Sequence, residues 1–252
     1  MTTLETQVKE ANPEDLDLFY SKELESQEEL SLAARIDMYA IMADVYRYPD
    51  AMTRLYVRQG EFKSHVLRIV GNLPYVLKMD DDEIQGLTYP DNLKDEDVEV
   101  EYIRVFEAGP GTPPCPLVEG IHMGKEDGRI SIFKDLILFY NNFGLSYAEG
   151  NSEDRPDHIA YELEFLHYLA FLELKALQTG KDPQPLRRAQ KEFLERHPAK
   201  WTGILVNRIK TIEADLREGV NSDVVGFYRN IMVLTDRFVT DDFNYLEGLT
   251  EN

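Results

Sequence analysis

The sequence predicts an all-α protein, a bundle of about nine or ten helices. Three observations carry this. Apolar residues recur at three- and four-residue spacing through most of the 252 residues. No stretch sustains the two-residue alternation of a half-buried strand between turns. One segment, residues 155–177, is apolar round most of a helical circumference, as a helix buried on most sides must be.

That segment organises the rest. Ser152, Glu153 and Asp154 offer side-chain acceptors for a helix start, Pro156 supplies a pre-set φ, and Asp157 puts a negative charge in the first turn. Ile159, Leu163, Leu166, Ala170, Leu174 and Leu177 repeat at helical spacing, and Phe165, Tyr168 and Phe171 widen the apolar face. The polar head, Asp157-His158, belongs where core meets solvent, with Glu162 one turn further on.

The other elements follow in order. Residues 1–30 read as an acidic, loose lead-in. Residues 31–46 place Leu32, Ile36, Tyr39, Ala43 and Tyr46 on one face, with Ser31 as cap and Pro49 as stop. Helices are expected over 52–58 and 61–77, and another starting at Asp80, whose acidic neighbours suit a helix N-terminus. Residues 97–106 form a further helix, with Val98, Tyr102, Val105 and Phe106 in register, ending at Gly109-Pro110-Gly111. The prolines and glycines of 112–130 read as a loop. Helices resume over 132–143, 186–197, 201–216 and 224–238. The polar connector 149–154 is the best boundary, giving a part at 31–150 and a part at 151–252.

Charge and composition narrow the function. The net charge is −20, concentrated in two blocks. Residues 1–30 hold nine acids against Lys9 and Lys22; residues 80–107 hold eleven against Lys94 and Arg104. Nucleic acid and anionic membrane are poor partners for such a surface, and a cationic peptide is a good one. A single cysteine, Cys115, makes neither an internal disulfide nor a metal cluster. No run of about 18 apolar residues predicts a membrane span, and the acidic N-terminus lacks the basic and apolar regions of a secretory signal. A reduced, cytoplasmic setting fits.

Few residues suggest chemistry. Glu164 and His167 have the Glu-x-x-His spacing of carboxylate-bridged di-metal bundles. Taken as a lone pair, they support an alternative reading: a metal-dependent helical-bundle enzyme using Glu162, Glu164 and His167. Asp157, Glu162 and Glu164 lack any neighbouring nucleophile or oxyanion hole. Gly109-Pro110-Gly111 is no phosphate loop, because it lacks the Gly-Lys-Ser/Thr ending and Pro110 removes an N–H. Cys115 reads as inert and Trp201 as a core anchor.

Three stretches together resemble one family. Glu101-Tyr102-Ile103-Arg104-Val105-Phe106, followed by Gly109-Pro110-Gly111, Pro116 and Glu119, resembles the "E-aromatic-x-x-L-F-x-G-P…P-P-x-E-S" segment of the TorD/DmsD/NarJ redox-enzyme maturation chaperones. Pro156-Asp157-His158, with Glu162-Leu163 and Phe165-Leu166, resembles their "D-H-x-x-x-E-L-x-F-M" signature. Phe193-Leu194-Glu195-Arg196-His197 with Trp201 resembles "F-L-x-x-H-L-x-x-W". The chain departs from the pattern at Gly120, Leu166 and Pro198.

The resemblance implies a non-enzymatic, cofactor-free cytoplasmic chaperone of two helical parts joined by a hinge-like linker, monomeric or a helix-swapped dimer. Its partner would be the catalytic subunit of a molybdenum-cofactor enzyme, bound through its twin-arginine leader until the cofactor is inserted. Carried over by position, Tyr102, Val105 and Phe106 would line the leader pocket. Pro156, Asp157, His158 and Glu162 would form its polar edge, with Asp157 pairing an arginine.

Overall fold

The computed structural model describes Leu24 and residues 26–108, 111–124, 126–145, 155–215 and 220–250. The described residues form α1 (Gln27–Val45), α2 (Ala51–Arg58), α3 (Glu61–Val70), α4 (Asp81–Gln85), α5 (Asp95–Tyr102), a π-turn (Ile103–Glu107), α6 (Glu119–Met123), α7 (Glu126–Asn142), α8 (Ile159–Gln178), α9 (Gln184–Arg196), α10 (Pro198–Ala214) and α11 (Ser222–Thr250). The all-α expectation holds, since the only β feature among them is an isolated bridge, Val118 with His158. The expected connector at 149–154 and most of the acidic lead-in lie outside the described residues.

Several boundaries differ from the sequence expectation, each for a local reason. α1 starts at Gln27 because Ser26 and Glu29 form a reciprocal capping box: Ser26 Oγ accepts from Glu29 N–H at 3.1 Å, and the Glu29 carboxylate accepts from Ser26 N–H at 2.9 Å. Ser31, the expected cap, is instead a buried helix residue. Asp80 and Glu83 repeat the box on α4. α3 stops at Val70, with Gly71 as its C-cap and Pro74 beyond. The stretch expected as loop carries α6 and the start of α7. α8 starts at Ile159, with His158 as its N-cap: Nδ1 accepts from Ala160 N–H at 3.2 Å. Asp157 therefore precedes the helix rather than sitting in its first turn.

α8 is the centre, as its greasy circumference requires. It packs along α1 and against α9, and touches α10; α11 lies across α9 and α10. One continuous apolar core joins Met38 and Tyr39 of α1 to Leu163 and Leu166 of α8, Phe193 of α9, Trp201 of α10 and Phe238 of α11.

A buried ionic cluster pins the ends of this arrangement. Arg35 Nε donates to Asp242 Oδ1 at 2.5 Å and its Nη2 to Asp242 Oδ2 at 2.8 Å. Its Nη1 reaches Glu173 at 3.3 Å, and Nη2 also reaches Gln190 at 2.7 Å. Tyr39 and Tyr75 hydroxyls donate to Asp242 at 2.5 and 2.9 Å. Four helices, α1, α8, α9 and α11, meet in this cluster.

Removing one member leaves the others charged and dry. Asp242→Ala is expected to lower unfolding free energy by about 3–5 kcal/mol, read as a lower urea midpoint. A loss under ~1 kcal/mol would mean that water reaches Arg35.

Candidate functional site

The three stretches that carry the resemblance converge on the head of α8. The Pro-rich loop after the π-turn runs back across it. Cys115 N–H donates to the Val105 carbonyl at 2.9 Å. Glu119 N–H donates to the Asp157 carbonyl at 2.8 Å, and Ile159 N–H to the Leu117 carbonyl at 3.0 Å. Cys115 and Val118 are three residues apart, so at most ~11 Å of chain ties the aromatic segment to the α8 head.

Side chains complete the knot. The Asp157 carboxylate is fully buried. Its Oδ2 accepts from Gly120 N–H at 2.9 Å, and Arg155 closes on it with Nε at 3.1 Å and Nη2 at 3.0 Å. Gly120 makes this approach possible: a Cβ there would lie 2.8 Å from Oδ2. Glu119 Oε2 lies 2.9 Å from His197 Nδ1, and His197 Nε2 lies 3.2 Å from Asp135 Oδ2. Trp201 Nε1–H donates to Glu162 Oε2 at 3.0 Å. His122 stacks on Trp201 with centroids 5.4 Å apart and donates from Nε2 to the Pro116 carbonyl at 2.6 Å. The Tyr140 hydroxyl donates to the Pro156 carbonyl at 2.9 Å.

Burial sets the protonation of this knot. Desolvation, then the neighbouring Glu119 and Asp157 charges, push the Glu162 carboxyl well above the usual range, against the opposing Trp201 hydrogen bond. Its Oε1 has no hydrogen-bond partner among the described residues. Burial pulls the His158 imidazole down to about 4, helped by the Arg47 and Arg155 charges. It therefore stays neutral and caps α8 through its lone pair. Burial also pushes the Cys115 thiol up to about 12, which leaves it an inert thiol.

The structure puts most of the expected pocket residues inside. Tyr102, Val105 and Phe106 are buried: the Tyr102 hydroxyl donates to the Tyr46 carbonyl at 2.8 Å, and its ring meets Phe106 and Tyr228 at 5.1 and 5.7 Å. Pro156, Asp157 and Glu162 are buried too, and His158 is half-buried. Asp157, expected to pair an arginine of the leader, is held by Arg155 of this chain. What solvent meets is a thin skin over these residues. The Tyr48 ring lies edge-on to Tyr102 at 5.8 Å. The next residue back, Arg47, sits over Tyr161 at 5.8 Å, and Tyr161 lies edge-on to His158 at 6.0 Å.

The structure does not assemble the metal alternative. Glu119 and His122 repeat the Glu-x-x-His spacing, so the chain holds two such pairs and not one. Glu164 pairs with Arg47, His167 Nδ1 lies 3.1 Å from the Ile36 carbonyl, and Glu162 turns toward Trp201. Among the described residues no group of three metal-ligating side chains forms.

A family model described as "Nitrate reductase delta subunit" matches residues 80–207. The chain is 34% identical over 177 residues to the selenate reductase assembly chaperone protein of Thauera selenatis, spanning 70% of this chain and 77% of that one. The chain belongs to the TorD/DmsD/NarJ family of redox-enzyme maturation chaperones. The chlorate reductase assembly chaperone protein of Ideonella dechloratans is 37% identical over 47% of this chain and 60% of its own. The perchlorate reductase assembly chaperone protein of Dechloromonas aromatica is 33% identical over 57% of this chain and 59% of its own. A solved putative redox enzyme maturation protein from Archaeoglobus fulgidus overlays 90% of this chain and 96% of its own, at 19% identity and a TM-score of 0.35. This chain, like its named relatives, is a maturation chaperone and not an enzyme. No helix among the described residues is long and apolar enough to cross a membrane.

The chaperone's knot titrates with a defined sign. The folded state holds the Glu162 carboxyl well above its usual range, so its contribution to stability is complete below about 4.5 and is lost as pH rises through the raised folded value. His158 acts oppositely: the unfolded chain takes the extra proton between about 4 and 6.5, so stability falls as pH drops through that window. Glu162→Gln keeps an acceptor for Trp201 and cannot ionise. Urea unfolding from about pH 5 to 8 is expected to show a shallower loss of stability with rising pH in the variant. Parallel slopes would show that Glu162 is already ionised in the folded chaperone.

Proposed function

We propose that the chaperone binds the N-terminal twin-arginine leader of an apo-molybdoenzyme catalytic subunit in the cytoplasm. It then holds that subunit until molybdenum cofactor is inserted. The observation that carries this reading is the convergence of all three family stretches on one knot beneath a small aromatic surface. The relatives named as selenate, chlorate and perchlorate reductase assembly chaperones supply the client class.

The chemistry of that surface suits the ligand. Tyr48 is 43% exposed and offers a flat apolar face. Glu99 and Glu107 both act on its hydroxyl, raising it beyond the effect of desolvation. Glu107 directly follows the aromatic segment, and its only resolved perturbation is partial burial, which raises its carboxyl. It makes no hydrogen bond or ion pair among the described residues. An exposed carboxylate with no ion pair among the described residues, its charge acting on both Tyr48 and Tyr102, suits a guanidinium through a bidentate fork and ring stacking. Glu107 thus takes the role that the sequence assigned to Asp157. Asp157 instead positions the loop, and the acidic blocks raise the rate of encounter.

Titration of a synthetic twin-arginine leader is expected to show saturable binding that a scrambled leader lacks. Glu107→Gln should weaken it by about tenfold, one charge-assisted contact of ~1.5 kcal/mol. It should also flatten the salt dependence. Equal binding of leader and scrambled peptide would end the reading.

A further inference from the structure

On the far side of Tyr48 lies an open groove of 1270 Å³ walled by α1, α2 and α3. Its construction is unusual at α2, which buries a charged residue, Arg54, beside the apolar Val57. Arg54 is buried, with Nη1 donating to the Pro49 carbonyl at 2.5 Å and paired with Glu99 and Asp95. Met52 and Leu55 face outward instead, 72% and 45% exposed. With Tyr48 and the half-buried Tyr56, they leave an apolar strip that no other part of the described chain covers.

The rim is acidic. Asp37 and Asp44 of α1, Asp50 at the head of α2 and Glu61 at the head of α3 line the groove. The basic residues lining it are Arg47, Arg68 and His65. Arg47 pairs with Glu164 and also lies 3.9 Å from Asp44, which is 74% exposed and keeps its outer side open, and His65 Nδ1 lies 2.5 Å from the Tyr56 hydroxyl. Asp37 feels Arg68 only at a distance: partial desolvation raises its carboxyl despite that charge, and it makes no hydrogen bond or ion pair among the described residues. Asp37 and Asp44 stand seven residues apart on one helix face, about 10 Å along the axis.

We infer that this groove is a docking site for a cationic amphipathic helix of a partner protein. The partner's apolar stripe seats on Met52, Leu55 and Tyr48, and lysines or arginines seven residues apart meet Asp37 and Asp44. Burying the apolar strip supplies affinity, and the paired acids fix register and exclude acidic helices. The α1 wall from Ala33 to Val45 is about 18 Å long, enough for some three helical turns. This site shares Tyr48 with the leader surface but not Glu107, which does not line the groove, and the inference stands whether or not the leader binds at Glu107.

The probe is a fluorescent leucine–lysine peptide of about 18 residues, with leucines at i, i+3, i+4 and i+7, titrated into the full chain. Its controls are a scrambled peptide of the same composition and a leucine–glutamate counterpart. The striped lysine peptide is expected to bind, and both controls to bind at least tenfold more weakly. Met52→Ser with Leu55→Ser, both exposed, should cost about tenfold or more. Asp37→Asn with Asp44→Asn, which keeps the shape of the groove, should also weaken binding and reduce its salt dependence. Far-UV circular dichroism checks that both double variants fold. Equal binding of striped and scrambled peptides, or unchanged affinity in both double variants, overturns the inference. The Glu107→Gln leader titration reads the other site, so the two can fail separately.

Discussion

The Asp157 carboxylate has no solvent around it and takes its donors from this chain: the Gly120 backbone and the Arg155 guanidinium. A buried carboxylate is tolerable only when so satisfied. That demand fixes the path of the Pro-rich loop, because Gly120 can reach Asp157 only if residues 117–119 lie antiparallel to 157–159. Once the loop is there, Glu119 meets His197, His122 meets Trp201, and the aromatic segment is drawn to the head of α8. Segments distant in sequence become neighbours through one desolvated charge.

Charge is sorted throughout the molecule by the same logic. Arg35, Arg54 and Arg187 are buried among carboxylates, while acids outnumber bases on the chain by a margin that leaves it at −20. Drawing arginines inward leaves carboxylates over-represented outside. Some of those, Glu107 and Asp37 among them, are exposed and make no hydrogen bond or ion pair among the described residues.

Much of this was legible in the sequence. The helical period located every long helix, because packing on one face leaves a mark at every third or fourth residue. The motif spacing picked out Glu119, Asp157, Glu162, His197 and Trp201. What could not be read was direction. A motif residue carries the same letter whether it faces a ligand or a neighbour. Nothing in Arg155-Pro156-Asp157 shows that the arginine folds back on the acid. Tyr140 carries no signal for its bond to the Pro156 carbonyl, and Glu107 is one acid among many until its place beside Tyr48 and Tyr102 is known. α2 shows the same limit: a helix expected over 52–58 does not reveal that Arg54 is buried against Glu99 and Asp95 while Met52 and Leu55 are exposed. The start of α7 was missed because Gly124 and Gly128 outweigh a short helical signal.

The pairing of Arg35 with Asp242 joins residues 207 apart in sequence. During synthesis the α1 segment emerges with a guanidinium meant for a dry site and no counter-ion for it. Non-local closure of this kind is slow, because loop entropy is lost before any contact is gained. A chaperone built this way cannot mature segment by segment as it leaves the ribosome. It stays dependent on α11, and until that arrives it is itself an unfinished client.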